Sequence, residues 1–278
     1  MNVLKSTLLL LVAGALLVMP ANASAVEFDA AQYYADALVR MQSLPESPYV
    51  RYTLVATGNG VTVDIAKNPS GNVDITFSTG IGGGSASKPA QWDVTYSAAS
   101  HASTVDLADG SQAITRMPLF DPTWAGAHDW ISHGIRGNQS PAELPNGATP
   151  SPTDLPVLAT VTAIVPSAYD ITDGGDTTCP SGSVGHALRL QARIQPATHP
   201  LREAIVDNSS GLICELNFDV RGDGGVMGMT GSAQINFENV QDRWLATDGH
   251  VYMQIRLFGL GVKHSSIDFR RVDIKFAS

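Results

Sequence analysis

The sequence predicts a mainly β protein of the α+β kind. The expected body is a large curved antiparallel sheet, an incompletely closed barrel of about a dozen strands. It would pack on an N-terminal helix and on a second helix near residues 122–135. Three observations predict this. Apolar and polar residues alternate with a period of two over most of the chain, the mark of strands with one packed and one wetter face. Clusters of Gly, Asn, Asp and Ser punctuate the alternating runs. Only two segments switch to helical spacing.

Residues 1–25 carry one lysine, Lys5, then an apolar run from Leu8 to Met19, then Ala21-Asn22-Ala23 and Ala23-Ser24-Ala25, which both fit a small-residue cleavage pattern. The run is shorter than the ~20 residues that a bilayer-spanning helix needs. The expectation is a signal peptide and an exported chain, periplasmic or extracellular, with no transmembrane segment after cleavage. Removing Lys5 leaves 16 basic residues against 26 acidic, a net charge of −10. With no basic cluster, nucleic acid and anionic membrane surfaces are poor partners.

The first helical segment is "FDAAQYYADALVRMQSL", residues 28–44. Asp29 with Gln32 fits a capping box, and Phe28 with Tyr33 fits a hydrophobic staple. Alternating runs follow in "VRYTLVA", "VDITF" and "WDVTY". "TGIGGGS" between them has no lysine and no following helix, so a hairpin loop is expected rather than a phosphate cradle. The second helix, "DPTWAGAHDWISHGIRG", opens with Asp121 as the expected N-cap and Pro122 at the first helical position. His128 and His133 are five apart, where a zincin pair needs four, and they are read as surface histidines. The proline-rich tract at 137–156 is expected to be a long loop within one domain spanning residues 26–278.

Cys179 and Cys214 are the only cysteines. In an exported chain they are expected to pair, which would stabilise the fold by roughly 3–4 kcal/mol. Asp170, Asp173 and Asp176 lie just upstream and lack the spacing of a calcium loop, so a solvated loop is expected. "HALRLQARIQ" and "LICELNFDV" alternate, the latter with Leu212, Cys214, Leu216, Phe218 and Val220 on one face. Asp207 in "LREAIVDNSSGLICELNF" is read as the former of a tight turn; nothing supplies the second acid or base of a catalytic pair. Arg221-Gly222-Asp223 is read as a turn. In the last run, "IDFRRVDIKF", the alternation is expected to break between Arg270 and Arg271 through a β-bulge. No metal site, cofactor motif or nucleophile can be nominated.

The N-terminal helix "AAQYYADALVRMQSL", the long meander and the strand–turn–strand "HPLREAIVDNSSGLICELNF" together resemble the periplasmic lipoprotein-carrier superfamily, the LolA/LolB/RseB-like outer-membrane lipoprotein-sorting proteins. The likeness spans most of the chain after residue 25 as a pattern. The resemblance implies a curved, unclosed barrel around helices whose apolar concavity holds acyl chains. It therefore implies a non-enzymatic envelope protein binding lipid or another hydrophobic ligand, but it carries over no binding residue; for such a ligand the large aromatics Trp92, Trp124 and Trp130 are the expected lining residues. The alternative is an envelope module with a filled core that binds another protein.

Overall fold

The computed structural model describes residues 28–78, 89–133, 168–193, 200–224, 227–257 and 260–277. The expected cleavage segment, the loop at 79–88 and the proline-rich tract lie outside these residues.

Helix α1 (Ala30–Gln42) starts where expected: the Asp29 carboxylate accepts from the Gln32 N–H at 2.9 Å, and the Phe28 and Tyr33 rings meet at 5.3 Å. The Gln32 side chain turns to Asp36 instead of back to the cap, so the reciprocal half of the capping box is not made. Strands β1 (Tyr49–Asn59), β2 (Thr62–Lys67), β3 (Val73–Ser78), β4 (Ala90–Ser97), β5 (Ala102–Asp106) and β6 (Gln112–Thr115) follow. A 3-10 turn (Pro118–Phe120) leads into α2 (Trp124–His133). The remaining strands are β7 (Tyr169–Thr178), β8 (Val184–Ala192), β9 (Leu201–Asp207), β10 (Ile213–Gly224), β11 (Met227–Val240), β12 (Arg243–Leu257) and β13 (Leu260–Ala277).

Eleven strands form one antiparallel sheet in the order β6-β5-β4-β1-β13-β12-β11-β10-β9-β8-β7, and β2 and β3 form a separate hairpin. The edge strands β6 and β7 do not pair, so the sheet stays open. Directly opposed residues of an antiparallel pair share a face. The row Ala90, Ala56, Phe269, Gly249, Ile235, Leu216, Ala204 and Leu188 therefore runs along one inner face across eight strands.

That face is filled in two sectors. Tyr34, Leu38 and Met41 of α1 pack on Leu188, Leu201, Leu216 and Phe218 at the β7 end. The hairpin supplies Val63, Ile65 and Ile75 over Leu54, Val94 and Val105 at the β6 end. The outer face carries one small apolar group, Cys179, Ala187, Ile205 and Cys214, with Trp244 against it. Its centre is the Cys179–Cys214 disulfide, with Cα atoms 5.8 Å apart.

Several local expectations are corrected. The helix starts at Trp124, after Thr123, whose Oγ accepts from the Ala125 N–H; Asp121 instead closes a turn onto the Thr123 N–H and hydroxyl. Cys214 is not on the face of Leu216 and Phe218. A register shift between Ile213 and Glu215 makes it an extra residue, so Ile213 enters the inner core and Cys214 turns outward to its partner. The shift in β13 lies at Asp273, which has φ 53°, because Arg271 continues the inner face begun by Ile267 and Phe269. Arg221–Asp223 belongs to β10, paired with Thr230, Met229 and Gly228, and is not a turn. Asp170, Asp173 and Asp176 lie in edge strand β7, not in a loop.

Candidate functional site

The two inner sectors meet under the chain from Pro118 to Ala127, which crosses β11–β13. Here lies a cleft of about 20 Å³, walled by Leu119, Asp121, Ala127, Ile235, Phe269 and Arg271. That volume has room for about one water molecule.

The crossing chain is strapped down by polar groups that rise from the sheet. Arg271, 8% exposed, donates from Nη1 to the Ala246 carbonyl at 3.1 Å and from Nη2 to the Leu119 carbonyl at 2.6 Å. Its guanidinium lies 5.6 Å from the centroid of the Tyr52 ring. The Tyr52 and Ser103 hydroxyls both donate to the Phe120 carbonyl at 2.6 Å, and the Ala246 N–H donates to the Pro122 carbonyl at 2.8 Å. A 3-10 turn leaves such carbonyls without partners of its own, and buried acceptors need them. Four strands, β1, β5, β12 and β13, thus supply the donors that let irregular chain sit on an apolar face.

The same burial sets the electrostatics. It pushes the Tyr52 phenol up to about 12, against the opposing pull of Arg271. Burial also raises the Asp121 carboxyl, outweighing the bonds from Thr123 and the charge of Arg271. Both groups favour their neutral forms more than exposed counterparts would.

Among the nominated lining residues, Trp92 and Trp124 are core residues of different sectors, 7% and 8% exposed. Trp92 sits on β4 opposite Leu54, and Trp124 packs 5.9 Å from the Phe237 ring. The wall of the cleft is formed by other side chains. The side chain of Trp130 lies outside the described residues. His128 is buried, 6.2 Å from the Trp124 ring, which corrects its reading as a surface residue; α2 turns that face inward. Among the described residues no group of three His, Cys, Asp or Glu side chains is arranged to hold a metal ion.

Asp207 is a turn-former. Its Oδ1 accepts from the Ser209 N–H at 3.0 Å, the Ser209 hydroxyl at 2.6 Å, and the Ser210 N–H at 2.8 Å, and its other oxygen accepts from Ser183. Burial alone would raise its carboxyl, but the Ser183, Ser209 and Ser210 donors overcome this and hold it well below the ordinary carboxylate range. An acceptor saturated in this way is a poor general base. Glu203 instead shares the Asn217 amide with Glu215.

Arg271, Tyr52 and Ser103 escaped sequence reasoning. A signal for the first was present: a strict two-residue period from Ile267 through Phe269 lands on Arg271.

No family model matches the chain, and no curated protein matches it at a significant level. Two solved structures are similar to it. One is a Vibrio parahaemolyticus domain assigned as an outer membrane lipoprotein-sorting protein, with 10% identity, a TM-score of 0.32, and coverage of 90% of this chain and 92% of that one. The other is a LolA superfamily protein from Nitrosomonas europaea, with 10% identity, a TM-score of 0.31, and coverage of 90% and 95%. At these scores the overlap transfers no residue and no activity, and the fold description stands on the strand order and register of the chain itself.

Proposed function

We propose that the protein is an exported, non-enzymatic envelope module that carries an apolar ligand, an acyl chain or lipid, on the inner face of its open sheet. The observation that carries this reading is the seam. One continuous apolar face spans the sheet, yet between its two sectors it is covered by irregular chain held through bonds to backbone carbonyls. Lifting that cover withdraws Phe120 from one sector and Trp124 from the other, while α1 and the β2–β3 hairpin keep their seats on the sheet. A ligand would take the place of the crossing segment above Ile235 and Phe269.

A second reading, a filled-core module that binds another protein, is favoured by the size of the cleft, about 20 Å³. Native mass spectrometry of protein purified from its own envelope separates the two. The carrier reading expects an acyl-containing adduct, together with a change in tryptophan fluorescence when lipid is added to stripped protein. No adduct and unchanged fluorescence, with a recurrent protein partner in crosslinking, would establish the second reading instead.

A further inference from the structure

At the β7 end of the inner face, His186 of β8 sits in a cage. Its Nε2 is 2.8 Å from Asp173 Oδ1 and its Nδ1 is 3.2 Å from Asp176 Oδ1. The two acids are three residues apart and would alternate to opposite faces of a regular strand. A bulge between Asp173 and Gly175 realigns them, so that Asp173 opposes Leu188 and Asp176 opposes His186. The rings of Phe28 and Tyr33, at the start of α1, close the cage at 4.5 and 5.8 Å from the imidazole. The His186 side chain is left 15% exposed.

A neutral imidazole has one N–H and one bare nitrogen, whereas imidazolium has two donors. Two flanking carboxylates are both satisfied only by imidazolium. The Gly175 N–H, opposed in part by desolvation and aided by His186, lowers the Asp173 carboxyl, so this group stays an acceptor. The two aromatic faces also favour a cation between them. A metal does not fit, because the two nitrogens engage different carboxylates and share no common point of coordination.

Among the described residues the charged and titratable surroundings are few. Strand β7 offers Asp173 and Asp176, and β9 opposes His186 with apolar Val206. From α1 comes the Tyr33 phenol, which burial raises, against Arg40 and with Asp207, so it stays protonated.

We propose that His186 is a proton-operated clasp: its imidazolium, gripped by Asp173 and Asp176, fastens the first turn of α1 to the β7–β8 edge, and the neutral ring releases that turn. The clasp closes on acidification and opens as pH rises, because only the charged ring fills both carboxylate positions. Its consequence is access to one end of the inner face, whatever that face binds.

Hydrogen exchange read by mass spectrometry on the full mature chain tests this. Protection of residues 30–36 would be compared at pH 5.5 and 8.5 after correction for intrinsic exchange. Histidines change charge in this interval. Loss of the cation held against the Phe28 and Tyr33 rings predicts protection about 2- to 5-fold lower at the higher pH. His186→Gln should show no such pH response. Should that variant misfold, Asp173→Asn should flatten the response in a folded chain. Equal protection of the native chain at both pH values, or an undiminished response in the folded variant, overturns the proposal. So does a bare ring nitrogen on His186 in a ¹⁵N spectrum at pH 5.5.

Discussion

Arg271 on the last strand donates to the carbonyl of Leu119, 152 residues earlier, at 2.6 Å. With its second bond to Ala246, the guanidinium joins the 3-10 turn to β12 from inside the apolar face. Removing it strands the buried Ala246 carbonyl and the part-buried Leu119 carbonyl, at about 1–3 kcal/mol for a fully buried group and less for the other. Arg271→Ala is expected to lower stability by about 2–4 kcal/mol. Arg271→Lys retains a charge that reaches only one acceptor, so it should lose less. Urea unfolding midpoints at constant slope check the order native, Lys, Ala. Equal midpoints for native and Ala proteins would show that the strap is not held by Arg271.

Asp207 makes stability fall with acid. Its carboxyl is depressed in the folded state by the serine donors that overcome its burial. A depressed group contributes stability above its unfolded value, about 3.9, and loses it as pH falls toward the folded value. The contribution should be complete at neutral pH and decline below about pH 4. Asp207→Asn keeps the shape and removes the charge, at a cost of roughly 2–3 kcal/mol near pH 7 from the weakened bonds. Its stability curve should be flatter than the native one between about pH 4 and 2. Parallel curves would assign the acid sensitivity to other carboxylates.

The strands were legible because their packed faces obey a local rule: Val50, Tyr52, Leu54 and Ala56 are all buried at every second place. The α1 cap was legible for the same reason, since Asp29 and Gln32 are three residues apart. What could not be read was set by distant chain. Arg271 looks like the polar side of a phase break until the carbonyls of Leu119 and Ala246 are seen to receive it. Cys214 fits the apolar period of its run, and only its bond to Cys179 reveals that a bulge turns it outward. Helix α2 was expected two residues early because Asp121 and Thr123 are both good caps; in the fold Asp121 spends its carboxylate on Thr123, and Thr123 receives the Ala125 N–H.

The disulfide closes a loop of 35 residues and is buried among Ala187 and Ile205, with Trp244 against them. On the chain-entropy account its loss should cost about 4 kcal/mol. A Cys179→Ala, Cys214→Ala protein avoids burying free thiols and isolates this effect. Trp244 reports locally, since its indole N–H donates to the Ile213 carbonyl at 2.8 Å, next to the bulge. Thermal and urea unfolding should shift together, with the Trp244 emission moving to longer wavelength. A stability equal to the native protein's would mean the bulge holds its register without the crosslink.

Gly185 tests how tightly that outer cluster is packed. A Cβ there would lie 2.9 Å from Ile205 Cγ2 and 3.0 Å from Cys179 Sγ, closer than carbon and sulfur can approach. The crosslink fixes the sulfur and β9 fixes Ile205, so neither yields freely. Gly185→Ala should therefore cost about 1–3 kcal/mol by overpacking. In the background lacking both cysteines the obstructing sulfur is gone, and the same substitution should cost less. A double-mutant cycle measures the difference, and sites in contact are expected to couple by at least ~0.5 kcal/mol. Additive costs would show that Ile205 and the Val206 carbonyl obstruct the methyl group, leaving the disulfide free to shift.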